Sequence, residues 1–320
     1  MKRKILLLGF SLVFLMLPIY GCQNLEIPSL KEETEENDVV RIGYQKNGPL
    51  VILKSLGNLE KNLKEKGYEV EWREFQEGPA LVEALSAGSI DMGRTGNSPV
   101  IFAQASSASF VIVAAGKSKY HGSGILVPEG SSIKQLKDLK GKEIGFAKGS
   151  SSHYLLVKAL EKINLKYNDI TPAFLSPGDA RVAFEQGSID AMVVWDPFTA
   201  SVEVNSNGKM IVNGEGLTTD RDYFIATNSF AENHTEIVNT VIEEVTVSSE
   251  WANNNIGELV KMLAPILNID KASIKRAAER RVYGVEDVTE EMIEEQQEIA
   301  DTFFDLQIIP KQIDVRDVME

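Results

Sequence analysis

From residue 39 onward, short apolar runs alternate with amphipathic stretches, and this alternation constrains the fold more than any other feature of the chain. Residues 39–44 (VVRIGY) read as a strand, and 51–66 as a helix carrying Val51, Leu53, Leu56, Leu59 and Leu63 on one face. Next come a strand at 68–75, a helix at 80–86, a strand at 90–93, a helix at 99–105 and a strand at 110–115. Parallel strands must be joined by crossovers, and helical crossovers cover the sheet, so this succession predicts an α/β fold with a mainly parallel sheet. The same grammar restarts after residues 124–127, with helices at 132–139, 152–163 and 180–186 and strands at 143–147, 172–175 and 189–194. Beyond a strand at 223–226 the chain is largely helical, at roughly 235–252, 256–267, 271–279 and 289–307.

An internal echo supports two units in series. Residues 87–93 (AGSIDMG) recur at 186–192 (QGSIDAM), an offset of 99 residues. In both copies the glycine, Gly88 or Gly187, is placed to end a helix in a left-handed cap before a strand begins. A chain of this length also exceeds what one small core needs, and two lobes are expected.

Each copy leads into a polar turn. The first continues as Arg94-Thr95-Gly96-Asn97-Ser98-Pro99 and the second as Trp195-Asp196-Pro197-Phe198. Each sets proline directly after a residue of the N-cap type, Ser98 or Asp196, as helix starts commonly do. A third such turn is Lys148-Gly149-Ser150-Ser151-Ser152-His153, and a fourth is Tyr44-Gln45-Lys46-Asn47-Gly48-Pro49. Open parallel sheets bind ligands beyond the carboxyl ends of their strands, where these turns fall. Helix starts offer free backbone N–H groups and the positive end of the dipole, and Ser, Thr and Asn add neutral donors. That chemistry suits an oxyanion such as a sulfonate, which accepts on three oxygens and gives no proton back. Neutral donors meet it without burying a full cation. Any one turn taken alone is ordinary helix capping; several at equivalent positions point to a shared cleft.

Enzyme chemistry finds no support in the sequence. His121, His153 and His234 lack metal-ligand spacing, and no H-E-x-x-H, G-x-S-x-G or phosphate-loop motif occurs. His153 lies beside serines, but neighbours at a helix start rarely make a nucleophile–base pair. No catalytic residue, metal or cofactor is therefore expected. A formal charge of −14 argues against nucleic acid as a partner. It says little about one desolvated cleft, so an anionic ligand remains compatible.

The N-terminus reads as an export signal over residues 1–22. Lys2, Arg3 and Lys4 precede an apolar run at 5–20, too short for a permanent membrane span. The run ends at Gly21-Cys22, which resembles a bacterial lipobox, and Cys22 is the chain's single cysteine. Lipidation of Cys22 would anchor an extracytoplasmic protein to the membrane by acyl chains alone. Residues 23–38 hold six acidic side chains against one lysine and read as a solvated tether.

Taken together, Gly43-Tyr-Gln-Lys, Glu77-Gly-Pro, Gly88-Ser-Ile-Asp, the segments 95–105, 148–156 and 179–191, and Trp195-Asp-Pro-Phe resemble the aliphatic sulfonate-binding proteins of ABC importers. The resemblance runs over about residues 41–234. It implies a two-lobed periplasmic-binding-protein fold of type II, with lobe one at 39–127 plus 222–320 and lobe two at 128–221. Two crossover hinges would fall near Val127 and Asp222. It further implies capture of a small organic sulfonate, by a chain expected to be monomeric, and delivery to a membrane permease driven by an ATPase. Carried over residue by residue, it places Gln45, Thr95, Asn97, Ser98, Ser150, Ser151, His153, Trp195 and Asp196 around the cleft. Arg94 stands where glycine is common in that family, and Asn97-Ser98 where Asp-Thr is common. Both departures shift the cleft towards anions. Receptors for taurine, nitrate, bicarbonate or a thiamine precursor share the fold, as do pyrimidine synthases; the export signal and Cys22 weigh against those intracellular enzymes.

Overall fold

Alternating strands and helices do build two sheets, as a computed structural model covering residues 38–319 shows. The export signal, Cys22 and nearly all of the tether lie outside the described residues. The first unit runs β1 (Asp38–Gln45), α1 (Pro49–Leu56), α2 (Asn58–Glu65), β2 (Tyr68–Phe75), α3 (Gly78–Ser86), β3 (Met92–Gly96), α4 (Asn97–Ala105) and β4 (Val111–Gly116). The second runs β5 (Gly124–Pro128), β6 (Glu143–Phe146), α5 (Ser151–Glu161), β7 (Thr171–Phe174), α6 (Pro177–Glu185), β8 (Ala191–Val194), α7 (Phe198–Asn205) and β9 (Gly208–Asn213). The chain then returns through β10 (Asp222–Ala226), α8 (Asn228–Asn233), α9 (Thr235–Asn254), α10 (Ile256–Leu267), α11 (Lys271–Glu279), β11 (Val285–Glu286) and α12 (Glu290–Asp305).

The first sheet has the order β11-β4-β10-β3-β1-β2 and the second β7-β6-β8-β5-β9. Both are mixed rather than purely parallel, and the reason lies in the connections. β1 pairs parallel with β2 and β3, and β6 with β7 and β8. β10 and β5, the strands that enter each sheet from the other, run antiparallel to their neighbours. Asp222 opens β10 opposite Gly96, the last residue of β3, and Gly124 opens β5 opposite Val194, the last residue of β8. The crossing chain therefore arrives at the carboxyl ends of the parallel strands and must run back along them.

Period-two alternation divides each sheet between two cores. In β10, Phe224 and Ala226 face one core with α1, α9 and α10, whereas Tyr223 and Ile225 face another with α3 and α4. In the second sheet Ile125, Val127 and Val193 face α5, while Leu126, Met192 and Val194 face α6. A further cluster joins α4, α5 and α12 through Ile101, Tyr154, Val157, Ile299 and Phe303. Among the described residues, no helix is long and apolar enough to cross a membrane.

Several boundaries differ from the sequence reading. The helix expected at 51–66 breaks into α1 and α2 at Gly57, whose φ of 69° is a left-handed turn that glycine accepts without strain. The helix expected at 132–139 shrinks to a 3-10 turn at Leu136–Leu139. Gly88 and Gly187 take φ of 67° and 70°, so both copies of the echo end their helices in left-handed turns.

Candidate functional site

Strand ends from both sheets meet at one small polar pocket of about 20 Å3. Gln45 reaches it from the end of β1, Asn47 from the turn after it, and Arg94 and Gly96 from the end of β3. Ser150 and Ser151 at the start of α5, and Trp195 just after β8, supply the opposite wall. Lys119 on the first crossover and Asp222 at the start of β10 complete the floor.

Arg94 dominates the floor. Its side chain is only 2 % exposed, and its Nη2 pairs with Asp222. Nη1 donates to the Asn47 carbonyl (3.0 Å) and Asn47 Oδ1 (3.3 Å), with Gln45 Oε1 at 3.5 Å. Nε has no partner. Around this arginine, Asp222 also pairs with Arg281 at 2.7 Å and Lys119 at 3.3 Å, and Lys119 pairs with Asp220 at 2.6 Å. Asp220 in turn accepts from Ser123 Oγ. Burial pushes the Asp222 carboxyl up, but Arg94, Lys119 and Arg281 outweigh it and hold the group well below the usual carboxylate range. Arg94, Lys119 and Arg281 thus face Asp220 and Asp222, which leaves the buried cluster one positive charge in excess.

Neutral donors surround that charge. Thr95 Oγ1 and Asn97 Nδ2, like Arg94 Nε, are buried without a hydrogen-bond partner among the described residues. Leaving a buried donor unpaired costs about 1–3 kcal/mol, so Arg94 Nε, on a residue that lines the pocket, is suited to meet an anionic acceptor. Ser150 Oγ donates to the Ala147 carbonyl at 2.7 Å, which fixes the hydroxyl at the start of α5. The two walls lie close together: a Cβ on Gly96 would fall 2.5 Å from Ser151 Oγ. A Cβ on Gly78, another lining residue, would collide with Thr95 Oγ1.

Of the residues expected at the cleft, Gln45, Ser150, Ser151 and Trp195 line the pocket, and Thr95 lies buried against Gly78. The others face elsewhere. Asn97 opens α4, with Gly96 rather than Ser98 as the N-cap, because Asn97 Oδ1 itself takes the Ser98 N–H at 2.8 Å. Ser98 is fully buried, and the Asn97 carbonyl accepts from Gln296 Nε2 at 2.7 Å. Asp196 is held away from the pocket lining by Arg280, which grips both of its oxygens (2.5 and 2.7 Å), while its Oδ1 takes the Ala200 N–H at 3.0 Å. Lys119 carried no sequence signal of its own, since a hinge charge reads like any surface charge, whereas Asn47 stood in the fourth polar turn and Asp222 was expected only as a hinge. Arg94 was visible only as a departure from a motif.

His153 sits 1 % exposed among Phe102, Phe146, Phe174 and Phe303, with Nε2 3.0 Å from the Tyr167 hydroxyl. Its Nδ1 accepts the Gly149 N–H at 3.3 Å. Burial, with help from Lys148, pushes the imidazole down to about 4, so it is neutral at physiological pH. The unfolded chain takes up this proton near 6.5 and the folded one near 4, so stability is present above 6.5 and drains as pH falls through that window. At about 1.4 kcal/mol per pH unit the loss is roughly 3 kcal/mol. Urea titrations at pH 7, 5.5 and 4 should show this slope in the wild type, and its absence in His153→Gln.

A two-sheet α/β molecule that gathers strand ends from both sheets over one small, charged pocket defines a solute-binding protein of the periplasmic-binding-protein fold. The NMT1/THI5-like family matches residues 63–256. A relative in Escherichia coli K12, named for aliphatic sulfonate binding, is 36 % identical over 87 % of this chain and 88 % of its own length. The alkanesulfonate-binding protein SsuA of Xanthomonas axonopodis pv. citri, solved bound to MOPS, is 33 % identical with a TM-score of 0.84, over 88 % of this chain and 98 % of that one. The periplasmic aliphatic sulphonate binding protein SsuA of E. coli is 35 % identical with a TM-score of 0.82, over 88 % and 92 %. The chain belongs to the NMT1/THI5-like family, among the aliphatic sulfonate-binding proteins.

Proposed function

We propose that this protein captures a small organic sulfonate between its two lobes, outside the cytoplasm, and passes it to the permease of an ABC importer. One observation carries the reading: a buried guanidinium with a free Nε on the pocket floor, inside a cluster with one excess positive charge. A monoanion balances that excess, and a sulfonate offers three oxygens to Arg94 Nε, the Thr95 hydroxyl and the Ser150–Ser151 turn. A dianion would overshoot it. His153, at the start of α5, is turned into an aromatic core rather than towards the pocket, which favours binding over histidine-based catalysis. Lobe one is assigned to 39–123 plus 222–320 and lobe two to 124–221, because β5 pairs within the second sheet and the first crossover therefore falls before Gly124 rather than near the expected Val127; the membrane would be reached through lipid on Cys22.

Thermal unfolding with methanesulfonate, ethanesulfonate, taurine, sulfate, nitrate and bicarbonate tests the ligand. At a hundredfold excess over Kd a ligand adds about 2.7 kcal/mol, which is about 5–10 °C for a chain of this size. Alkanesulfonates are expected to give that shift, and sulfate, nitrate and bicarbonate none. A shift with nitrate alone would overturn the proposal; a shift with taurine alone would move it to the aminosulfonates.

A further inference from the structure

Two helices that belong to different sheets are joined by a ladder of polar contacts. On α11, Ile274 and Ala278 point into the core of the first sheet, while Ser273, Arg276 and, just past the helix end, Arg280 recur at helical spacing towards α7. Asn205 of α7 donates from Nδ2 to Asp270 Oδ2 at 2.6 Å and to Ser273 Oγ at 3.1 Å. Arg276 holds both oxygens of Glu203, at 2.9 and 3.0 Å. Arg280 reaches the same Glu203 through Nη1 at 2.9 Å and grips Asp196 through Nε and Nη2. Two guanidiniums thus meet two carboxylates and the charges cancel. The Asp196, Glu203 and Arg280 side chains are largely buried, and Arg276 is half exposed. Elsewhere the two halves meet through apolar side chains, where Ile101 and Phe303 of α4 and α12 pack with Tyr154 and Val157 of α5. Parting an apolar contact opens its whole area to water, whereas parted ion pairs recover hydration. The ladder is the contact that can come undone.

We propose that this ladder is a releasable clasp between the lobes, with Arg280 as a positioning residue that holds Trp195 over the anion floor through Asp196 and so sets how fast a bound anion leaves. Asp196 directly follows Trp195, and Trp195 lines the pocket that Arg94 and Asp222 floor. A grip on the Asp196 carboxylate from the end of α11 therefore ties the wall carried by the second sheet to the half that carries the floor. Asp196, Glu203, Arg276 and Arg280 do not line the pocket themselves, so the clasp adds no contact to the ligand. It acts on the lobes, and the same pairs serve whichever small anion occupies the pocket. An anion can escape only when the wall moves off the floor, and that movement breaks the four-way ion pair first. Loss of the clasp speeds departure and places no obstacle in the way of entry.

Stopped-flow tryptophan fluorescence with ethanesulfonate on the full chain reads koff and kon separately. Arg280→Gln is expected to raise koff about tenfold or more, with kon equal to or above that of the wild type. Arg280→Lys keeps the charge without the two-pronged grip and should fall between the two proteins. Arg276→Gln, at a half-exposed position, should fold normally and raise koff by about two- to fivefold. A folded Arg280→Gln protein with koff within about twofold of wild type, or one that loses affinity through a slower kon, overturns the clasp and leaves anion capture standing. Should Arg280→Gln not fold, a wild-type koff in Arg280→Lys overturns it equally. If ethanesulfonate does not bind the wild type, the sulfonate reading falls by itself, and the same rates measured with nitrate decide the clasp. Binding of neither anion removes both.

Discussion

Arg94→Met is expected to abolish sulfonate capture while leaving a folded protein. The side chain keeps its length and apolar stem but loses a charged donor on the pocket floor whose Nε has no partner among the described residues. Removing one partner of a buried, hydrogen-bonded charge contact costs about 2–5 kcal/mol, so Kd should rise by about thirtyfold to several thousandfold. Stability should change little. Without Arg94 the cluster holds Lys119 and Arg281 against Asp220 and Asp222, and the charges balance. Asp222 keeps two cations and stays ionised. Titration calorimetry with ethanesulfonate, paired with a melting curve, separates the two effects. Affinity retained within threefold in a well-folded variant would place the anion elsewhere.

Asp222→Asn should do the opposite. It leaves Arg94, Lys119 and Arg281 facing Asp220 alone, and breaking a buried ion pair from one side costs about 3–5 kcal/mol. Because the folded carboxyl lies below its unfolded value of about 3.9, its stabilisation is complete above that pH and drains away as the solution becomes more acid. The wild type should therefore lose stability below pH 4 by a component that the variant lacks at every pH. Chemical denaturation at pH 7 and pH 3 measures both quantities. A variant within 1 kcal/mol of wild type at pH 7 would show that the cluster contributes nothing net to the fold.

The architecture was largely legible because periodicity is a backbone-scale property. Leu53, Leu59 and Leu63 mark a buried helical face whether or not Gly57 interrupts the helix, and the interruption itself turns on one residue's φ. The direction of β5 and β10 was not legible, since alternation locates a strand without saying which way it runs. At the site, the turns carrying Gln45, Ser150, Ser151 and Trp195 could be named from strand-end logic alone. Their aim could not. Whether a histidine at a helix start faces the pocket or an aromatic core depends on Phe102 and Phe303, which come from distant parts of the chain. The same holds for Lys119 and Asp222, two ordinary charges until the crossovers bring them together.

The placement of β10 between β3 and β4 has a consequence for how the molecule is made. A chain emerging N-terminus first offers residues 38–116 with a gap at the centre of their sheet, and nothing local can fill it. Residues 124–213, by contrast, contain every strand of the second sheet. The later-appearing segment is thus equipped to fold first, and its completion shortens the loop that 222–226 must close to enter the waiting gap. Binding competence then arrives in a single late event, because the strand that seals the first sheet also delivers Asp222 to Arg94.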